Sequence, residues 1–407
     1  MEEEVQRDGF FIRNRSVLVM GLTALVIAGT ADIFAGFCLV SMEDYIMMIP
    51  GMMVLIYAAI GMRGNIFGAM GSRLGTAMHM GTFQMNYKKG GVLKSNIEGA
   101  MALTMIMSIL MAVIGWVIVD MLFDETYDFL SFVFISTFGG LLAGALVMAV
   151  NLVIVKISYE RDWDVDNITA PLIAAAGDVI TVPMIYLATV AAVNLDTNIV
   201  RVLSVVLILF TVFITYRILT RKMKRKRKVN EAKRIIVQSM PTLIGCVLLQ
   251  LMAGILIESE SERLMDYAVL MLLLTAFLNE GNALSGMLTS KFSSMLHMGT
   301  LPKKPFPPKE AGENFVIMYL LAITTFLYIL SIAYVIKPGD LTFPLLLAIV
   351  MIAGLIITTV INFLSYYVAV AALKFDMDPD DHCIPITSSL MDVIGSAVLI
   401  GVIMLFI

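Results

Sequence analysis

Two aspartates stand where an aspartate is expensive. Asp178, in AAAGDVITV, and Asp392, in SSLMDVIGS, each fall inside a long apolar run with no basic residue within one helical turn. A carboxylate in the middle of a membrane span costs about 2.5–3.5 kcal/mol on insertion scales, so its presence marks a functional position by default. The chemistry open to such a group is cation binding, proton transfer, or general acid–base work. The competing account pairs it with Arg63, Arg73 or Lys291 on another helix.

Other residues are spaced to assist. Pro171 and Pro385 precede the aspartates by seven residues and cannot donate to the carbonyls of Asn167 and Asp381, which leaves oxygens free near an ion path. Ala174 and Thr181 in one run, and Ser388 and Gly395 in the other, share the aspartate face. Asn65, Gly68 and Ser72, matched by Asn282, Ser285 and Thr289, repeat at i, i+3, i+7 and fall on one face of their helices. That face, small and rich in neutral oxygen, is predicted to line a pore; close helix packing through small residues is the alternative. Upstream of each aspartate helix lies D-x-D-x-D, Asp162, Asp164, Asp166 and Asp376, Asp378, Asp380. It starts like a calcium-binding loop but lacks the glycine at position six and the glutamate at twelve. Asp164, Asp166, Asp378 and Asp380 then form either an acidic cytoplasmic mouth that concentrates cations or a plain solvated loop. His79, His297 and His382 do not have metal-ligand spacing, and Cys38, Cys246 and Cys383 suggest neither disulfides nor zinc.

The elements that must hold these residues are membrane helices. Of 407 residues, 59% are hydrophobic and 15% charged, so a soluble surface could not be covered. The apolar runs predict eleven spans, at 17–40, 46–82, 97–119, 129–157, 168–194, 199–219, 235–257, 265–298, 312–336, 341–373 and 384–407. Most reach the roughly 17–25 residues that cross a hydrocarbon core, and the first is read as a retained helix rather than a signal peptide. Arg13, Arg15, Lys88, Lys89, Lys94, the basic run 221–234, Lys303, Lys304 and Lys309 fall on one side, and acidic segments on the other. The positive-inside rule therefore predicts a cytoplasmic N-terminus and an external C-terminus. The basic run is read as a topology signal beside anionic lipid, not a nucleic-acid tail.

The chain repeats. Gly64–Thr82 pairs with Gly281–Thr300, and Asp162–Ile180 pairs with Asp376–Ile394. Five spans in each copy and one between them predict an all-α integral membrane fold of 5+1+5 helices. Its units would be 1–198 and 235–407, joined by a linker helix and basic loop at 199–234. The extra span would leave the copies parallel about a pseudo-two-fold axis along the membrane normal, with Asp178 and Asp392 facing one pathway. Two carboxylates among neutral oxygens suit a hard divalent cation; the residues alone do not separate Mg²⁺ from Mn²⁺ or Ca²⁺.

At GMRGN with SRLGTAMHMG, LNEGN with SKFSSMLHMG, and the two D-x-D-…-P-x₆-D segments, the chain resembles the MgtE magnesium transporters. It is closer still to their eukaryotic solute-carrier relatives, in which two MgtE-type units are fused. The resemblance implies Mg²⁺ as the transported ion, Asp178 and Asp392 as its ligands, and Asn65 and Asn282 as pore lining. It departs from the bacterial pattern, where soluble regulatory domains precede the membrane unit, so gating by them is not carried over.

The expectation is therefore a divalent-cation transporter, most simply for Mg²⁺, and not an enzyme. A single chain would act as a pseudo-dimer in the plasma membrane, with lipid and the cation as partners, no nucleic acid and no cofactor. A Na⁺- or H⁺-coupled exchanger of the same fold is one alternative. An intramembrane enzyme acting on lipid through paired aspartates is another, against which no Ser or His nucleophile constellation accompanies them.

Overall fold

A computed structural model describes residues 10–79, 81–85, 91–123, 127–161, 170–221, 230–337, 341–375 and 382–407. In chain order the helices are α1 (Phe10–Val40), α2 (Glu43–Met48), α3 (Met52–His79), α4 (Val92–Phe123), α5 (Phe129–Arg161), α6 (Ala170–Asn194) and α7 (Thr197–Leu219). They continue as α8 (Glu231–Glu258), α9 (Ser261–Asp266), α10 (Ala268–His297), α11 (Lys309–Ile336), α12 (Phe343–Phe375) and α13 (Ile384–Phe406). Among the described residues there is no strand, and eleven of the helices are long and apolar enough to cross a membrane. Only helices or a closed barrel satisfy their backbone in lipid, and this composition takes the first solution.

Two expected spans, 46–82 and 265–298, each consist of a short helix and a long one. In the first, Pro50 cannot donate the amide that a continuing helix needs, and Gly51 takes φ +80°, a turn that a side chain would strain. The freed amides of Gly51 and Met53 donate to the Glu258 carboxylate at the end of α8, at 2.8 and 2.9 Å. In the second, α9 stops at Tyr267 (φ −126°, ψ 89°), where no proline announces the break.

Polarity sorts the helices. The most apolar windows of α3 and α10 have the lowest mean hydropathy of the set, 1.4 each, and these two helices carry the fully buried Arg63 and Glu280. Neither could face lipid without exposing a charge, and 83% and 78% of their windows are buried, against 17% for α7. Peripheral α7 presents Val202, Val206, Leu209 and Phe213 outward. It is tied to α5 by the Arg201–Asp128 ion pair at 2.5 Å and by Ser204 Oγ donating to the Leu130 carbonyl.

Helices α1 and α8 each lean on helices distant in the chain. Helix α1 packs on α6, α10 and α11, while α8 packs on α13, α3 and α4. Each crossing is closed by a glycine. A Cβ added at Gly36 of α1 would lie 2.9 Å from the Leu272 carbonyl oxygen of α10, and one at Gly254 of α8 would lie 2.7 Å from Val54 Cα of α3. Both obstacles are backbone, which cannot move aside as a flexible side chain can. Van der Waals contact between such surfaces is what holds helices together where lipid is as apolar as leucine. Gly36→Val and Gly254→Val are each expected to destabilise the fold by ~1–3 kcal/mol through overpacking. Thermal unfolding of the purified chain in detergent reads this, and unchanged midpoints would show that the two crossings tolerate wider spacing.

Candidate ion-binding site

The aspartates sit where α6 and α13 pass the two central helices. Asp178 on α6 is 7% exposed and has Asp32 of α1 within hydrogen-bonding range and Asp392 of α13 within electrostatic reach. Two carboxyl groups this close, with no basic side chain against them, repel unless a cation or a proton lies between them. Asp32 itself is 1% exposed and accepts from Asn279 Nδ2 of α10 at 3.1 Å. One residue on, Glu280 is fully buried near Asp32, and neither of its carboxyl oxygens has a hydrogen-bond partner. The absence of a side chain at Gly29 makes room for it, since an added Cβ would lie 2.5 Å from Glu280 Oε1.

The second half of the site is built from amides. Asn282 Nδ2 of α10 donates to Asp392 Oδ1 at 2.7 Å, while Asp392 Oδ2 and Asn282 Oδ1 are buried without partners. Gln250 of α8, 1% exposed, donates from Nε2 to Ser389 Oγ at 3.3 Å, and its Oε1 is also unpartnered. Both Gln250 and Asp392 press on Gly61 of α3, where an added Cβ would lie 2.5 Å from Gln250 Nε2 and 2.9 Å from Asp392 Oδ2. Leaving a buried polar atom unbonded costs ~1–3 kcal/mol. Asp392 Oδ2, Asn282 Oδ1 and Gln250 Oε1 are acceptor oxygens of the kind that hard cations take.

The basic residues offered as partners turn elsewhere. Arg63 donates to the Ala59 carbonyl at 3.0 Å and to Ser108 Oγ at 3.5 Å, Arg73 Nε donates to Asn96 Oδ1 at 3.0 Å, and Lys291 faces Glu313. Neither Asp178 nor Asp392 takes part in an ion pair among the described residues.

The remaining sequence candidates divide. Asn65 bridges the halves, donating to Ser389 Oγ at 3.0 Å and accepting from Ser388 Oγ at 2.8 Å. Gly68 of α3 faces open space, and Ser72 is buried further along the same helix. Ser285 Oγ donates to its own helix at the Asn282 carbonyl, at 2.9 Å, and Thr289 is buried with Oγ1 unpartnered. Thr181 Oγ1 donates back to the Gly177 carbonyl at 2.6 Å, and Gly395 lies against Ile357 and Leu278, so both serve packing of their helices. Pro171 and Pro385 are second residues of α6 and α13, where a missing amide is no loss. Asp164, Asp166, Asp378 and Asp380 lie outside the described residues, as do the carbonyls of Asn167 and Asp381 and the side chain of Ala174.

Sequence reasoning missed Asp32 and Gln250, and quoted Asn279 and Glu280 within LNEGN without assigning either a role. The rule applied to Asp178 would have found Asp32, an acid in the apolar run GTADIFAG. Among the described residues no three carboxylate, imidazole or thiolate groups are arranged to hold a metal ion by themselves. The groups that the two aspartates meet here are other carboxyls, amides and hydroxyls.

The family model MgtE, described as a divalent cation transporter, matches twice, over residues 56–189 and 274–402. The chain belongs to the MgtE family. It is a transporter of divalent cations, not an enzyme. Curated relatives include solute carrier family 41 member 3 of Mus musculus, 21% identical over 372 residues that cover 86% of this chain and 74% of that protein. Solute carrier family 41 member 2 of Xenopus laevis is 22% identical over 413 residues, covering 94% of this chain and 71% of that protein. No solved structure matches the chain. The two MgtE matches contain Asn65, Asp178, Asn282 and Asp392 but begin after α1 and α8, so Asp32 and Gln250 lie outside both.

Gly61→Ala is expected to lower the apparent affinity for a divalent cation about tenfold, within the ~10–100-fold that loosened support of metal ligands costs. Concentration dependence of flux into proteoliposomes measures it; wild-type half-saturation would show that Gln250 and Asp392 can yield to the added methyl.

Proposed function

We propose that this MgtE-family chain carries Mg²⁺ along a central pathway between its two halves, with Asp178 and Asp392 binding the partly hydrated ion. The observation that carries the reading is the meeting of these two acids, one from each half, within electrostatic reach and without a basic partner. Mg²⁺ dehydrates reluctantly and binds through one or two carboxylates while keeping several waters. A site with two main carboxylates, amide and hydroxyl oxygens and no ready three-acid chelate fits that habit. Asn65, Gly68 and Asn282 would line the approach, with Ser388 orienting Asn65.

The same reading treats residues 1–198 and 235–407 as two units joined through 199–234, related by a pseudo-two-fold axis so that one chain acts as a pseudo-dimer. Corresponding neighbours of α1 and α8 support it, as does the pair of glycine crossings. The distribution of Lys and Arg favours a cytoplasmic N-terminus and an external C-terminus, and this reading takes the plasma membrane as the membrane crossed.

Asp178→Asn combined with Asp392→Asn is expected to abolish Mg²⁺ entry into proteoliposomes, followed with an internal fluorescent indicator, while thermal unfolding without Mg²⁺ stays near wild type. Flux preserved in the double variant would sink the assignment.

A further inference from the structure

Helices α1 and α8 stand in matching places. Each ends three residues before a short helix, α2 or α9, and that short helix has the same length, 6 residues, in both halves. Each crosses the other half at a glycine, Gly36 on Leu272 and Gly254 on Val54, at the same distance from its end. Counted back from the short helices in this register, Asp32 and Gln250 fall on the same position, eleven residues ahead of Glu43 and Ser261. The environments correspond as well. Both residues are 1% exposed, and each reaches the aspartate helix of its own half, Asp32 at Asp178 and Gln250 at Ser389, beside Asp392.

An ordinary packing role does not account for the pair. A helix that needed only to fill space here would carry an apolar side chain, as most of α1 and α8 does. A polar residue kept for structure would have its oxygens bonded. Gln250 Oε1 is instead buried and unpartnered, while its Nε2 and the unpartnered Asp392 Oδ2 flank the space that Gly61 leaves open. In the first half the Asp32 carboxylate accepts from Asn279 and also faces the Asp178 carboxyl, an acid against an acid, with Glu280 and its two unpartnered oxygens nearby.

We propose that Asp32 and Gln250 are ion-contacting residues that complete the central divalent-cation site, the first half giving a carboxylate and the second a neutral amide oxygen. This rests on the central pathway with Asp178 and Asp392 described above, and adds to it the helices that precede each MgtE match. The site then has two faces of different charge. On one, Asp32 and Asp178 hold the ion by charge, with the Glu280 carboxyl buried behind Asp32; on the other, Gln250, Asn282 and Asp392 hold it with one charge and two amide dipoles. A cation crossing between them moves from the stronger field to the weaker.

Because the two positions are equivalent, the charge can be exchanged. In the purified full chain, Asp32→Gln is expected to raise the Mg²⁺ concentration for half-maximal flux about tenfold, and Gln250→Leu to raise it as well by removing an oxygen. Joining Asp32→Gln to Gln250→Asp restores the number of carboxylates and is expected to return half-saturation to within about threefold of wild type. Stabilisation of the protein by Mg²⁺ alone, measured by thermal unfolding in detergent, should follow the same order. A purely structural role predicts no rescue, since the exchange would damage two places at once.

Half-saturation unchanged in both Asp32→Gln and Gln250→Leu, or a double variant no better than Asp32→Gln alone, overturns the proposal. If Asp32→Gln does not fold, Gln250→Leu and Gln250→Glu still decide it, with weaker and tighter Mg²⁺ binding expected. Absence of Mg²⁺ flux in the wild-type chain would instead overturn the transport reading. Flux that is lost in Asp392→Asn but indifferent to residues 32 and 250 would overturn only the present inference.

Discussion

An ionised or strongly polar side chain cannot be left facing hydrocarbon, and the arrangement of this bundle follows from that constraint. Helices α3 and α10 carry Arg63 and Glu280 and are driven to the centre. Once they are there, α6 and α13 must pass them with their aspartates inward, and α7, which carries no acid and keeps its two arginines toward its ends, is left for the rim. The polar residues thus select which helices meet, while the apolar ones supply the contact surface. Glu258 shows the same logic at a helix end, where it satisfies the amides that Pro50 and Gly51 release.

Packing between the halves then fixes distances within the site. Gly36 and Gly254 let α1 and α8 approach the opposing helices backbone to side-chain-free backbone, which brings Asp32 and Gln250 into the middle of the bundle. Gly29 and Gly61 play a second role, leaving room for Glu280 on one side and for Gln250 with Asp392 on the other. Small residues serve here both as contact and as vacancy, and sequence spacing does not tell one use from the other. Gly395 was expected beside the ion and lies in a packed contact, whereas Gly68 faces open space.

The helical membrane class and the number of spans were legible because hydropathy over twenty residues is a strong signal, and all eleven expected spans correspond to long helices. Asp178 and Asp392 stood out because an acid in such a run has few bland explanations. The break at Gly51 was announced by Pro50, yet the run 46–82 looked continuous because hydropathy does not sense a missing amide. Asp32 lies in the first apolar run, outside both repeated segments, 64–82 with 281–300 and 162–180 with 376–394, so the repeat did not point to it. The long-range contacts of Asn65 with Ser388 and Ser389 join residues more than three hundred positions apart, a pairing that no local pattern encodes.

Residues 63 and 280, an arginine and a glutamate, show what covalent joining makes available. Two identical subunits would be obliged to place the same side chain on both sides of their shared axis, so any charge introduced once is introduced twice. In a single polypeptide the partner is always present at high effective concentration, no dilution separates the halves, and each can drift alone. Here Asp32, Asp178 and Glu280 lie together, as do Gln250, Asn282 and Asp392, so neighbouring parts of one interior carry unlike charge.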